Sequence, residues 1–337
     1  MFAAFLSPDM TYSCPIWATP TPPSSPPRKP SARAEETLEH AQQTKLAYFI
    51  AQARIKRADH VLEIGTGWGS FAIAAVRATG CRVTSITLSV EQKALAERRI
   101  ADAGFTDNIE VLLCDYRALP TPKTGLYDKV VSIEMLEAVG AEFLHTYFEC
   151  VHKLLKPDGG IAVFQCITMP ETVSASSLRH AKPNLPTLAP HRHADTAASP
   201  LALFVQRYAA YQSSTDFIRR YIFPGGHLPT VSQLVASMAS GSRGALIVDG
   251  VRNIGPHYAR TLRAWREAFA AAWEARVRPA LLRDHAGMTD ADAELFRRKW
   301  EYYFAYCEAG FATCTLGDVI ITVGREGAME LAEGVPL

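Results

Sequence analysis

Residues 60–69 read HVLEIGTGWG. Val61, Leu62 and Ile64 form a short apolar run of the kind that makes a buried strand. Gly65, Gly67 and Gly69 follow at alternate positions, and the run from Ser70 to Ala78 looks helical. Strand, glycine turn and helix in this order open the ligand site of many α/β folds. Glycine admits a positive φ and lets a ligand approach the main chain closely. A dinucleotide loop is spaced G-x-G-x-x-G and sets a helix N-terminus against a pyrophosphate. This loop is spaced E-x-G-x-G-x-G instead, with Glu63 inside the strand end. The plainer alternative is a tight strand-to-helix turn that binds nothing.

Outward from this loop the chain alternates strand and helix, as a parallel sheet requires. Strands are expected at 60–64, 82–86, 109–113, 129–133 and 161–167, with two more at 245–251 and 318–323. Helices are expected at 35–57, from Ser89 to Ala103, and at 141–155, 231–239, 258–276 and 293–306, with order resuming over 208–221. Ser89 with Gln92 reads as a capping box. Residues 1–17 begin abruptly, like the end of a helix without its beginning, and 19–29 are too rich in proline and serine for regular structure. Residues 172–206 carry four prolines and no clear period, and are expected to be a disordered insertion. Their histidines, His180, His191 and His193, lack the cysteine or carboxylate pattern of a metal site, so no metal is expected. The division is then 1–34, an N-terminal segment reaching the active site; 35–171, a cofactor-binding core; 172–206, the insertion; and 207–337, the remainder.

A chain of 337 residues, 48% hydrophobic and 20% charged, supports a sizeable globular core. The net charge of +1 gives no reason to expect nucleic acid. Residues 217–283 hold ten arginines against three acids. That stretch is either a face for an anionic membrane or an ordinary solvated face. Seven cysteines without a C-x-x-C pattern fit reduced thiols in a cytoplasmic protein. No apolar run approaches a membrane span and no secretory signal is read.

The loop resembles the first motif of S-adenosylmethionine-dependent methyltransferases, whose ligand has an amino-acid end and a sulfonium but no phosphate. Further motifs narrow the resemblance: Tyr12-Ser13-Cys14, ITLSVEQ from Ile86, CDYR from Cys114, SIEMLEAVG from Ser132, FIRRYIFPGGHLP from Phe217, HYARTLRAW from His257 and YYFAYCEAGF from Tyr302. Together they resemble the cyclopropane-fatty-acyl-phospholipid synthases and mycolic acid cyclopropane synthases, and within them the plant-type branch.

The resemblance implies a Rossmann-like class I methyltransferase fold. Its mainly parallel seven-stranded sheet would have helices on both faces and helical additions covering an acyl chain. It implies S-adenosylmethionine as methyl donor and an unsaturated phospholipid or fatty acyl chain as substrate, with peripheral membrane contact. The methyl adds to a cis double bond, the new methyl loses a proton, and a cyclopropane closes. A bicarbonate ion is the implied proton acceptor, held by positions that map onto Cys14, Glu137, Gln165, Ile167 and Tyr258. A buried anion needs such directed partners. Glu63, Gly65, Thr66, Gly67, Trp68 and Gly69 would hold the methionine end of the cofactor. Thr87, Ser89 and Gln92 would bind the ribose, Asp115 and Tyr116 would lie near the adenine, and Ile133 along the methionyl chain. Phe223, Tyr258, Tyr302, Tyr303, Tyr306 and Phe311 are candidates for the acyl tunnel, with core packing the alternative for the last four.

The chain departs from the family pattern in four places. Gln165 and Ala138 stand where bacterial members have histidine. A segment that covers the cofactor in relatives would precede residue 1, and 172–206 falls between positions adjacent in relatives. The last two are the expected marks of a late start and a retained intron. Two other readings stay open: an acyl C-methyltransferase that stops at a methyl branch, and a catalytically dead lipid- or cofactor-binding homologue.

Overall fold

The computed structural model describes residues 1–18, 36–120, 122, 125–171, 211 and 214–333. The expected insertion at 172–206 lies outside the described residues. Strands β1 (His60–Ile64), β2 (Arg82–Thr87), β3 (Ile109–Leu113), β4 (Lys129–Ile133), β5 (Ile161–Thr168), β6 (Ile247–Asn253) and β7 (Gly317–Gly324) form one sheet. Their order is β3-β2-β1-β4-β5-β7-β6. The first five run parallel, and β7 lies antiparallel between β5 and β6. Parallel neighbours need crossovers. Among the described helices, α1 (Leu38–Gln52) leads into β1, while α2 (Ser70–Thr79), α3 (Val90–Asp102) and α4 (Leu144–Leu154) connect successive strands. The order reverses between β1 and β4. A ligand crevice opens at the carboxyl ends of the strands flanking such a reversal.

Side chains alternate across the sheet, so each strand feeds two cores. Val61, Val83, Val111, Val131 and Val163 enter one cluster; Leu62, Ile86, Val130, Ala162 and Phe164 enter the other. The second core is closed by α4 and by α6 (Val231–Ser242), through Phe148, Leu234 and Met238. The first is closed by α7 (Gly255–Ala272) and α9 (Asp290–Ala312); α5 (Phe217–Tyr221) and α8 (Arg278–Asp284) are further helices among the described residues. Phe5, Trp265, Phe269 and Phe304 are buried there, and each such ring contributes about 1.5–3 kcal/mol by leaving water.

Several elements differ from their sequence reading. The opening residues form a 3-10 turn at Phe2–Ala4, after which Phe5 packs edge-on against Trp265 and Phe304. Helix α7 begins at Gly255, with Pro256 pre-set for the first turn, and passes into a π turn at Trp273–Val277 rather than running on to 276. Helix α9 starts earlier than expected, because Thr289 and Asp292 form a full capping box, and it runs on to Ala312. The box expected at Ser89 is only half made. Ser89 Oγ accepts from Gln92 N, but the Gln92 side chain accepts from Thr87 Oγ1 instead of turning back to Ser89. Helix α1 covers only the middle of 35–57. The arginines of 217–283 are not a bare basic face. Arg263 and Arg266 pair with Glu308, Arg278 with Asp290, and Arg252 lies over the Tyr48 ring. No helix among the described residues is long and apolar enough to cross a membrane.

Candidate active site

The glycine loop turns off the end of β1 with φ of +101° at Gly65, +51° at Gly67 and +85° at Gly69. Gly65 and Thr66 both donate their N–H to Ile86 O on β2, which folds the loop across the strand ends. A Cβ at Gly65 would meet Met135 Cγ at 3.3 Å, whereas one at Gly67 would meet nothing within 4 Å. Gly67 therefore borders open space. That space is a cavity of about 260 Å³. Of the residues expected to hold the cofactor, Glu63, Gly65, Thr66, Gly67, Trp68, Gln92 and Ile133 line it. Tyr12, Ser13 and Lys45 line it as well.

Thr87 and Ser89 stand behind Gln92 rather than in the wall: Thr87 Oγ1 donates to the Gln92 amide oxygen and accepts from Ser89 N. Gly69 caps α2. Asp115 and Tyr116 do not join the lining. The Asp115 carboxylate is engaged by Arg117 and by that residue's own N–H, and the Tyr116 ring meets Tyr147 edge-on. The N-terminal segment closes the cavity from the other side. Arg99 donates to Trp68 O and Asp9 O, which ties residues 7–11 to the glycine loop.

At the carboxyl ends of β4 and β5 the five positions expected around an anion do converge, but the acid at their centre is Glu134. Its Oε1 accepts from Cys14 N–H at 2.7 Å and from Gln165 Nε2 at 2.7 Å. Its Oε2 accepts from Tyr258 OH at 2.7 Å. Glu134 also holds φ +48°, a left-handed conformation that costs a non-glycine residue of the order of 1 kcal/mol. Glu137 sits beside it, with Oε1 accepting from Ile167 N–H at 2.6 Å and Oε2 buried without a partner. Asp318, from β7, accepts from the same Gln165 Nε2 at 2.8 Å through its Oδ2 and leaves its Oδ1 unpartnered. The donors expected for bicarbonate are thus already engaged by carboxylates of the chain, and the residues present do not fit that ion beside Glu134.

Three buried carboxyls so close cannot all be ionised. Burial raises Glu134, against the Cys14 N–H and the Tyr258 hydroxyl, which favour its charged form. Burial and then the Glu134 charge push Glu137 up to about 8. The same two causes hold Asp318 well above the carboxylate range. With three donors against one each, Glu134 is the carboxylate that keeps its charge. The Tyr258 hydroxyl is raised well above its usual value by burial and by Glu134, so it remains a donor.

The aromatic candidates divide in two. Tyr258 stacks on Phe311 at 4.6 Å, and Tyr303 shares a hydrogen bond of 3.0 Å with Tyr12, whose ring neighbours Phe223. Tyr302 and Tyr306 instead stack on each other at the surface. Glu134, Asp318 and Lys45 are the site residues that sequence reasoning passed over. For Glu134 a signal exists: SIEMLEAVG carries two acids three residues apart, and the resemblance points only to the second.

A parallel sheet reversed between β1 and β4, with an antiparallel β7 and a glycine loop over the cavity, is a Rossmann-like methyltransferase fold. Residues 1–319 match the family described as mycolic acid cyclopropane synthetase, and the chain belongs to that family. It is 38% identical over 331 residues to the tuberculostearic acid methyltransferase UfaA1 of Mycobacterium tuberculosis, covering 97% of this chain and 62% of that protein. It is 28% identical over 334 residues to the cyclopropane-fatty-acyl-phospholipid synthase of Escherichia coli K12, covering 98% and 67%. The chain thus spans about three fifths to two thirds of the length of these relatives. The solved structure of the cyclopropane synthase MmaA2 from M. tuberculosis shares the fold, with a TM-score of 0.70 at 24% identity over 96% of this chain and 93% of that one.

Proposed function

We propose that this chain transfers a methyl group from S-adenosylmethionine to the cis double bond of an unsaturated lipid acyl chain, and that Glu134 takes the proton released. The observation that carries this reading is the Glu134 carboxylate held by Cys14 N–H, Gln165 and Tyr258 OH. It stands where the family resemblance calls for bicarbonate. The cavity fits the cofactor: it has an open glycine wall at Gly67, a buried acid at Glu63 and an amide at Gln92. When bound, S-adenosylmethionine supplies an electrophilic methyl.

The π electrons of the double bond form the new C–C bond to the methyl as its bond to sulfur breaks, the electron pair staying on the departing thioether, and a cation is left on the adjacent carbon. The Tyr258–Phe311 pair and the Tyr12 and Tyr303 rings are placed to stabilise that cation through their π faces. A C–H bond of the new methyl then breaks. Its proton goes to Glu134, and its electrons form a new bond within the acyl chain. Glu137 and Asp318, both held protonated by burial, keep competing charge away from the base.

In the first reading a hydride moves from the methyl-bearing carbon to the adjacent cation, and the electrons then form a double bond between that carbon and the added one, giving a methylene branch. The UfaA1 likeness and the departure from a bicarbonate site favour it. In the second reading they close a cyclopropane, the expectation from the sequence motifs, and the likeness to the E. coli synthase favours it. Lipids of a host expressing the chain should contain an acyl species heavier by one CH2. Its proton NMR then distinguishes olefinic methylene from ring methylene. A host whose lipids are unchanged, with the protein folded and abundant, would refute the proposal.

A further inference from the structure

Lys45, in α1, is fully buried. Lysine is almost never so unless its charge is paired. Its ammonium has three donors, and the structure gives one of them a partner, Ser13 Oγ at 2.6 Å. None of the ion pairs formed among the described residues includes it. The acids that interact with its charge are Glu134, Asp9, Asp318 and Glu63. Each is engaged elsewhere: Glu134 by Cys14, Gln165 and Tyr258, Asp9 by Ser7 and Thr11, Asp318 by Gln165, and Glu63 by Ser85. The Cys14 thiol, which also faces Lys45, is raised by burial and stays neutral. A buried ammonium short of partners is costly, and methionine would fill the same space without that cost.

What distinguishes the position is that Lys45 lines the cavity beneath the glycine loop, together with Ser13 and Glu63. Glu63 is buried too, with Oε2 accepting from Ser85. Glu134 lines the cavity as well, with both of its oxygens already engaged. The cavity therefore carries one basic side chain and two acids, none bonded to it, which offers a cationic donor to a carboxylate and carboxyl acceptors to an ammonium. We propose that Lys45, with the Ser13 hydroxyl beside it, is the carboxylate anchor of this cavity and takes the α-carboxylate of a ligand with an amino-acid end. The buried carboxyl of Glu63, which keeps its proton, is left to accept a hydrogen bond from the ammonium. The assignment rests on the reading of the cavity as the S-adenosylmethionine site and names the residue that selects the amino-acid half.

Calorimetry on the full chain with two ligands tests it. S-adenosylhomocysteine carries the amino-acid end; 5′-methylthioadenosine has the same nucleoside and a thioether but no carboxylate or amine. Lys45→Met should weaken S-adenosylhomocysteine binding by roughly 30-fold or more, the scale of removing one partner from a buried charge pair. Methylthioadenosine affinity should stay within about twofold, because no charged pair is lost. Ser13→Ala, a smaller change that keeps the ammonium, should weaken S-adenosylhomocysteine alone by several-fold; it serves if Lys45→Met does not fold. Unchanged S-adenosylhomocysteine affinity in these variants, or an equal loss for both ligands, overturns the assignment. A parent chain that binds neither ligand overturns the cofactor reading itself, and the anchor with it.

Discussion

Glu134→Ala is the perturbation with the clearest expected magnitude. The carboxylate gathers three donors, each at 2.7 Å, inside a buried pocket. Removing it deletes the base but leaves Cys14 N–H, the Gln165 amide and Tyr258 OH around the vacated space. General-base catalysis contributes about 10²–10⁴-fold, so lipid methylation should slow by that factor, or roughly 3–5 kcal/mol in barrier. The emptied donor set should then accept a small external anion. Added bicarbonate or formate should restore part of the rate in the variant and do nothing for the parent. The assay is incorporation of labelled methyl into unsaturated phospholipid in carbon dioxide-free buffer, with S-adenosylhomocysteine affinity as the control for an intact cofactor site. A variant that turns over at the parental rate would refute the assignment of Glu134. So would a parent that loses activity when bicarbonate is withdrawn.

Gly67→Val should abolish S-adenosylhomocysteine binding in a folded protein, because a β-branched residue is strained at φ +51° and would project into the cavity; calorimetry that finds parental affinity contradicts it. Burial pushes Glu63, and burial with the Glu134 charge pushes Glu137, from 4.5 up to about 8. The folded protein therefore keeps protons that the unfolded chain has lost. Stability from these two groups is full below the unfolded value and declines as pH rises through about 8, by about 1.4 kcal/mol per pH unit for each. Urea unfolding across this window should show the decline, with a shallower slope in Glu137→Gln; an unchanged slope there would count against a neutral Glu137. Arg99→Ala removes the donors to Trp68 O and Asp9 O. Amide exchange at the N-terminal residues should quicken, and S-adenosylhomocysteine affinity should fall roughly tenfold; unchanged exchange would show that the strap is held by its aromatic packing alone.

The sheet was legible because its signals are local. Apolar runs of five residues, glycine turns and helices of ordinary length follow one another from His60 to Thr168, and β1, β3 and β4 have the expected bounds. Helix ends were less so, since they depend on partners outside the local pattern. Gln92 serves Thr87 rather than Ser89, and α7 gives way to a π turn where Trp273 and Val277 pack into the core. The anion site was legible as a set of donors but not as to its occupant. Cys14, Gln165 and Tyr258 come from distant parts of the chain, and only their convergence shows that a side chain three residues before Glu137 has taken the central place. Lys45 was invisible for a related reason. In the helical pattern of α1 it reads as one more surface lysine, and its burial follows from the N-terminal strap laid across it at Ser13. Asp115, placed near the adenine by resemblance, has its carboxylate engaged by Arg117, a local pairing that the motif alone does not show.

The central claim is that the transferred methyl gives up one hydrogen as a proton to Glu134. The direct measurement uses S-adenosylmethionine with a fully deuterated methyl and an unsaturated phospholipid, with mass spectrometry of the acyl product. The account predicts a product that retains two of the three deuterons, for a methylene branch and for a ring alike, and a yield that collapses in Glu134→Ala. A product that keeps all three deuterons, or an equal yield from the variant, would contradict it.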